Sequence, residues 1–306
     1  MTKQILLIDV DGHNFPNLCL MKISAFYKAR DYKITLWQLT KEDRAYLRQG
    51  SLLLGAYDKI FAACIFAQNK DVAEALNVYD NIVVGGSGIS FTSALLPEIE
   101  HICPDYELYN IKNTAYGYLT RGCPRGCPFC IVARKEGAKS VKVADLKEFW
   151  NGQKYIKLLD PNLLASKDHM QLLEQLADSG AWIDFTQGLD ARLTNKKNLA
   201  LIKNLKIKML HFAWDNPRNC SIKKDFLRIK EILNLDARRL TVYVLTNYWS
   251  TLEQDLERIY WLRDNGYSPY VMVYNKQKAP KETRNLQRWC NNKIIFRTCE
   301  KFEDYR

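Results

Sequence analysis

Ten short β-type runs separated by helix-length segments constrain this 306-residue chain more than any other feature. The first four are QILLIDV from Gln4, YKITLWQL from Tyr32, YDKIFAACIFA from Tyr57 and NIVVGGSGIS from Asn81. LCLMKISAFYKARDY, behind the first run, has helical spacing with Leu18, Met21, Ala25 and Tyr32 on one side. Alternation of this kind predicts a parallel sheet with helices on both faces. Residues 1–114 therefore read as a Rossmann-like, doubly wound domain, and Cys103-Pro104 begins the crossing to the next. Six further runs follow: AYGYLT from Ala115, YIKLLD from Tyr155, WIDFTQ from Trp182, IKMLHFAW from Ile207, LTVYVLT from Leu240 and PYVMVY from Pro269. With HMQLLEQLADSG, LALIKNL and EQDLERIYWLRDNG as intervening helices, they predict a partial (β/α)6 barrel over residues 115–280, followed by a basic extension over 281–306. In a parallel barrel the chemistry gathers at the C-terminal strand ends.

RGCPRGCPFC, from Arg121 to Cys130, follows the first barrel run and places Cys123, Cys127 and Cys130 at CxxxCxxC spacing. Gly122 and Gly126 can adopt positive φ, and Pro124 and Pro128 keep the run out of a helix. The result is an irregular loop able to wrap three thiolates around one centre. Three thiolates suit a [4Fe-4S] cluster in which one iron keeps an open position. Zinc would need a fourth donor, and the next histidine, His169, lies outside the usual spacing. A disulfide does not suit an odd count of nine cysteines without a secretory signal.

The loop, with the aromatic Phe129 before its last cysteine, resembles the signature of the radical S-adenosylmethionine superfamily, and the resemblance extends over about Tyr116 to Tyr274. It implies that the open iron chelates S-adenosylmethionine, whose reductive cleavage gives a 5'-deoxyadenosyl radical that takes hydrogen from substrate. The polar residues at the strand ends, which converge in a barrel, are the candidates for holding the cofactor, each with a loop cap or core salt link as the alternative: Asp160 and Asn162 after the second barrel run, Gln187, Asp190 and Arg192 after the third, Asp215 after the fourth and Asn247 after the fifth. LLDPNLLA stands where the family has a glycine-rich, acid-containing segment, so Asp160 is matched to it by position only. Tyr116 to Leu119 and the pair Tyr248-Trp249 could line the mouth of such a site or simply pack.

The layout further resembles the members with a cobalamin-type domain ahead of the barrel. DGHNFP carries the Asp-x-His pattern in Asp11 and His13, and Gly85-Gly86 lies at a fitting separation. Pro16 stands in place of a glycine, and Cys64, Ile65 and Phe66 replace the expected Ser-x-Leu, so the favoured expectation is a degenerate domain that keeps the fold without the corrinoid. Bound cobalamin is the alternative. LIDVDG also resembles the opening of haloacid-dehalogenase phosphatases, with Asp9 as nucleophile and Asp11 as acid beside magnesium, but no late acidic pair follows. VGGSG, from Val84, could cradle a phosphate or form a tight βα turn. Cys220, Cys290 and Cys299 are too scattered for an auxiliary cluster, and Cys19, Cys64 and Cys103 fit apolar core positions.

The opening MTKQILLIDVDGHNF is neither a signal nor a transit peptide, and no run approaches a membrane span. A cytoplasmic protein is expected. Net charge is +11, but residues 1–114 hold 11 basic against 13 acidic side chains and the remainder 34 against 21. From Lys276 to Arg297 there are seven basic residues and one acid around Trp289. Such a stretch suits a nucleic acid or phosphorylated substrate, a solvated surface, or a rim for a reducing partner such as flavodoxin or ferredoxin. A non-catalytic iron–sulfur nucleic-acid-binding protein is the alternative function.

Overall fold

The computed structural model describes residues 3–12, 14–48, 57–77 and 80–305. They divide into two compact units. The first comprises residues 1–117, 126–137 and 144–153, and the second 118–125, 138–143 and 154–306.

In the first unit the strands β1 (Gln4–Asp9), β2 (Lys33–Gln38), β3 (Lys59–Ala63) and β4 (Ile82–Gly85) form a parallel sheet in the order β2-β1-β3-β4. Helices α1 (Leu18–Lys28), α2 (Lys41–Leu47) and α3 (Lys70–Leu76) join them, as the alternating pattern predicts. Apolar side chains of β1 reach both faces, Leu6 and Ile8 into one core and Ile5 and Leu7 into the other. Asn17 caps α1 by accepting from Leu20 N at 3.2 Å. The buried face of α1 is Leu20, Met21, Ile23 and Ser24, while Leu18 is half-buried. Of the expected stripe, Met21 is buried, Leu18 and Ala25 are half-buried, and Tyr32 stands beyond the helix, which ends at Lys28. Short helix α4 (Pro97–Glu100), strand β5 (Thr114–Gly117) and helix α5 (Val132–Glu136) complete the unit.

Cys64 lies in this core with its thiol pushed up to about 12, first by burial and then by Asp11. Cys19 and Cys103 are exposed, contrary to the expectation that both would be core. Cys19 falls on the solvent side of α1, beside the buried Leu20, and Cys103 follows the end of α4 in an irregular segment.

The second unit opens with the antiparallel pair β6 (Thr120–Arg121) and β7 (Val141–Lys142). Then come β8 (Tyr155–Leu158), β9 (Trp182–Phe185), β10 (Lys206–Ala213), β11 (Leu240–Thr246) and β12 (Ser268–Val273), each paired in parallel with the next. Helices α6 (His169–Ser179), α7 (Lys196–Asn204), α8 (Ile222–Leu233) and α9 (Leu252–Asp264) separate these strands, and α10 (Lys281–Asn291) and α11 (Lys293–Thr298) follow them. This is the strand–helix succession of a partial (β/α) barrel, and each of the six predicted barrel runs contains a strand. Ile156 and Leu158 of β8 are buried together with Ile183 and Phe185 of β9, and Lys157 and Asp184 pair on the opposite face. Aromatic packing of Phe212, Trp214, Phe226, Trp261 and Tyr267 fills the space around α8 and α9.

Candidate functional site

The cysteine loop runs from β6 to α5. Gly122 and Gly126 have φ of +87° and +56°, so the loop uses the left-handed backbone that its glycines permit. Cys123, Cys127 and Cys130 are half-buried thiols, and no disulfide joins any cysteine. Cys130 N donates to Cys127 O at 2.9 Å, closing a tight turn between these two residues. Phe129 is half-buried beside them. Among the described residues, no group of three or more His, Cys, Asp or Glu side chains converges into a preformed metal site. The donor chemistry, three thiols in no disulfide at the expected spacing, fits a cluster held by three cysteines.

Within the second unit, the segment holding Cys123 is tied to strand ends in three places. Asp160, just past β8, accepts from Leu119 N at 3.1 Å, Thr120 N at 2.5 Å and Thr120 Oγ1 at 2.7 Å. Both oxygens are therefore bonded within the protein, and the side chain is 4% exposed. Burial raises this carboxyl to about 6, against the pull of those three donors. Asn162 donates from Nδ2 to Cys123 Sγ at 3.4 Å, while its buried Oδ1 has no hydrogen-bond partner. Asp190 holds Arg125 of the loop and also Arg192, at 2.7 Å from Nε. Burial works to raise Asp190, but the two guanidinium groups outweigh it and hold the carboxyl below its usual range.

Asp215, beyond β10, is raised to about 6 by burial, opposed by Arg258 and Arg192. Arg258 is 1% exposed and donates to the carbonyls of Trp214, Asp215 and Leu245, with Asp255 as its ion-pair partner. It braces the ends of β10 and β11. Burial lowers its own pKa, although Asp255 opposes the shift. Asn247 adopts φ +62° after β11 and donates to Tyr274 O at 2.8 Å, so its amide fastens that turn. Gln187 is exposed beyond β9.

Sequence reasoning missed a polar row on the sheet face opposite the helices. Asp184 of β9 is 7% exposed, and its Oδ1 has no hydrogen-bond partner, with His211 Nδ1 at 3.7 Å. His211 Nδ1 also lies 3.1 Å from Phe185 O, a geometry that selects the Nδ1–H tautomer and leaves Nε2 as an acceptor. Burial lowers the His211 pKa more than Asp184 raises it. Tyr243 of β11 stacks on His211 at 5.3 Å and bonds Thr186 O, while Thr186 Oγ1 is itself a buried atom without a partner. The available signal was parity: Asp184 and His211 occupy positions whose chain neighbours are buried and apolar.

In the first unit, Asp11 accepts from Ile65 N at 2.6 Å and Asn69 Nδ2 at 2.9 Å, using both oxygens. Asp9 is fully buried and accepts from Tyr109 Oη at 2.9 Å, which leaves no exposed nucleophile for the phosphatase reading. Gly86 has φ +111°, and a Cβ there would meet Cys64 O at 2.2 Å, so VGGSG has the glycine its tight turn requires. His13 lies outside the described residues.

No family model and no curated protein sequence matches the chain. Solved structures do. The cobalamin- and [4Fe-4S]-bound radical S-adenosylmethionine methyltransferase TsrM from Kitasatospora setae aligns with TM-score 0.63 at 9% identity, covering 89% of this chain and 75% of that one. The cobalamin-dependent S-adenosylmethionine radical enzyme OxsB, with aqua-cobalamin bound, aligns with TM-score 0.58 at 12% identity over 97% of this chain, which spans 56% of OxsB. At these identities the likeness is one of architecture: the chain has the fold seen in the cobalamin-dependent radical S-adenosylmethionine enzymes TsrM and OxsB.

Proposed function

We propose that the chain is a radical S-adenosylmethionine enzyme whose cluster is held by Cys123, Cys127 and Cys130. The observation that carries this reading is the CxxxCxxC loop following the first predicted barrel strand, in a fold of the TsrM and OxsB type. A [4Fe-4S] cluster held there would supply the electron for reductive cleavage of S-adenosylmethionine, and hydrogen abstraction from substrate would follow. Asn162 would steady Cys123 through its amide, and its free Oδ1 is an acceptor suited to an ammonium group such as that of the methionine moiety. Asp160 would act through the main chain leading into the loop, and the Arg125–Asp190–Arg192 group would fix the loop against the end of β9. Asp184, His211 and Tyr243, joined in one polar row, would contact substrate or cofactor. Phe129, Gln187 and Asn247 remain cofactor candidates by position, and Asp215 adds a half-buried carboxyl.

Cobalamin is not assigned to this chain: Pro16 stands in place of a glycine, Cys64, Ile65 and Phe66 replace the Ser-x-Leu of the resembling domains, and Asp11 already accepts from Ile65 N and Asn69 Nδ2. A cytoplasmic setting and a flavodoxin- or ferredoxin-type donor complete the reading.

Anaerobic reconstitution with iron and sulfide, followed by electron paramagnetic resonance with and without S-adenosylmethionine, is the test. A [4Fe-4S] signal altered by the cofactor, with 5'-deoxyadenosine released under dithionite and lost in Cys123→Ala, Cys127→Ala and Cys130→Ala, is expected. Four irons that never respond to the cofactor would leave a structural cluster, and stoichiometric zinc in place of iron would overturn the assignment.

A further inference from the structure

Helix α10 turns Leu286, Trp289 and Cys290 into the core and leaves Lys281, Arg284 and Arg288 in solvent. These three stand at i, i+3 and i+7, one face of the helix, over about 10 Å of its length. With Lys276 and Tyr270 they line a cavity of about 630 Å³. None of the four cations is in an ion pair among the described residues, and the uncompensated charge continues through the exposed Lys293 and Arg297 of α11. A row of unpaired cations along a groove tracks phosphates well.

Strand β12 adds a second element, with Tyr270 in the lining of the cavity. Tyr270, Met272 and Tyr274 alternate along β12 and just past it, and each is more than two-fifths exposed. The rings are braced from the side: Tyr243 meets Tyr270 edge to face at 5.9 Å, and Tyr248 meets Tyr274 at 4.7 Å. Held rings cost little entropy to stack on. The main-chain edge of β12, by contrast, is sealed at its centre. Asn291 accepts from Val271 N at 2.7 Å and donates to Val271 O at 3.0 Å, and Gln287 also donates to that oxygen. An added peptide strand therefore finds no ladder there.

We propose that this surface binds single-stranded nucleic acid, with phosphates along Lys276, Lys281, Arg284 and Arg288 and bases stacked on Tyr270 and its neighbours. The continuation of unpaired charge beyond the cavity favours a polymer over a mononucleotide. The concave shape and exposed rings favour it over the flat rim of an acidic protein. The site does not depend on the iron–sulfur reading.

The test is fluorescence anisotropy of the full chain with a fluorescein-labelled 15-nucleotide oligouridylate across a salt series, without iron or S-adenosylmethionine. Binding is expected to weaken with salt. Replacing Lys276, Lys281, Arg284 and Arg288 together by Gln should raise Kd at least tenfold and flatten the salt slope by about 0.7 for each phosphate no longer neutralised. Tyr270→Ala should raise Kd about tenfold with the slope unchanged. A charge-matched variant with Gln at Lys196, Lys197, Lys203 and Lys206 should bind nearly as wild type. Equal weakening in that variant would reduce the effect to net charge and overturn the site. Competition by uridine monophosphate at equal concentration would make it a nucleotide pocket, and flavodoxin binding without oligonucleotide binding would make it a protein rim; either overturns the proposal. Because no cofactor is present, failure here leaves the deoxyadenosine assay untouched, and the converse holds.

Discussion

The two parallel sheets of this chain end differently. In the first unit, polar groups at the strand ends satisfy one another: Asp9 takes Tyr109, and Asp11 takes Ile65 N and Asn69. In the second, Asp160, Asp190 and Asn247 are likewise bonded within the protein, but Asn162 Oδ1, Asp184 Oδ1 and Thr186 Oγ1 are buried without hydrogen-bond partners. An unpaired buried polar atom costs about 1–3 kcal/mol, so a folded chain keeps several in one place only where something else compensates. The unpartnered acceptors of the second unit are where the proposed function puts a ligand.

Paired substitutions test that difference most directly, and the largest effect belongs to the open end. Asp184→Asn should change stability by less than about 1 kcal/mol, because Oδ1 accepts no hydrogen bond in the protein and lies only 3.7 Å from His211 Nδ1, yet lower 5'-deoxyadenosine release at least tenfold by replacing an acceptor of the polar row with a donor. Asp11→Ala should do the reverse. It strands the Ile65 and Asn69 donors and should cost about 2–4 kcal/mol in urea denaturation, with release per folded molecule unchanged. Matching effects on both readouts for both variants would erase the distinction.

The next effect is one of pH. Asp160 and Asp215 both have folded pKa values raised to about 6, above the unfolded value near 3.8. Between those limits the folded chain keeps protons that the unfolded chain has released. Stability should therefore fall as pH rises from about 4 to about 6 and stay lower above it, by roughly 1–3 kcal/mol per group. Asp215→Asn should remove its share, so the variant gains on wild type across that window and holds a constant advantage beyond it. Urea denaturation at pH 4.5 and 7 measures this, and a gap that does not widen with pH would count against it.

The strand–helix alternation made both sheets legible in the sequence, because strand runs such as QILLIDV and LTVYVLT carry their β-type composition locally. The glycines of the cysteine loop were legible for the same reason: their φ angles are local. The partners of the strand-end residues were not. That Asp160 faces Thr120, or that Asn247 reaches Tyr274, depends on register between segments far apart in the chain. Asp184 and His211 were hidden inside runs read only as strands. Cys19 and Cys103 misled because composition says how often a cysteine is buried and nothing about which side of its element it faces.

The smallest effect concerns Asn162, where the two kinds of strand end meet in one side chain. Its Nδ2 is committed to Cys123 Sγ and its Oδ1 is open. Asn162→Leu keeps the volume and removes both functions. A thiolate deprived of a hydrogen-bond donor holds its charge less comfortably, which favours the oxidised cluster and should move the reduction potential to a more negative value. Removing the free oxygen should also raise the S-adenosylmethionine concentration needed to alter the resonance signal, by about three- to tenfold if one hydrogen bond goes with it. The two readouts separate the two atoms: a potential shift with unchanged cofactor demand would assign Asn162 to the cysteine alone, and the opposite result would assign it to the open end alone.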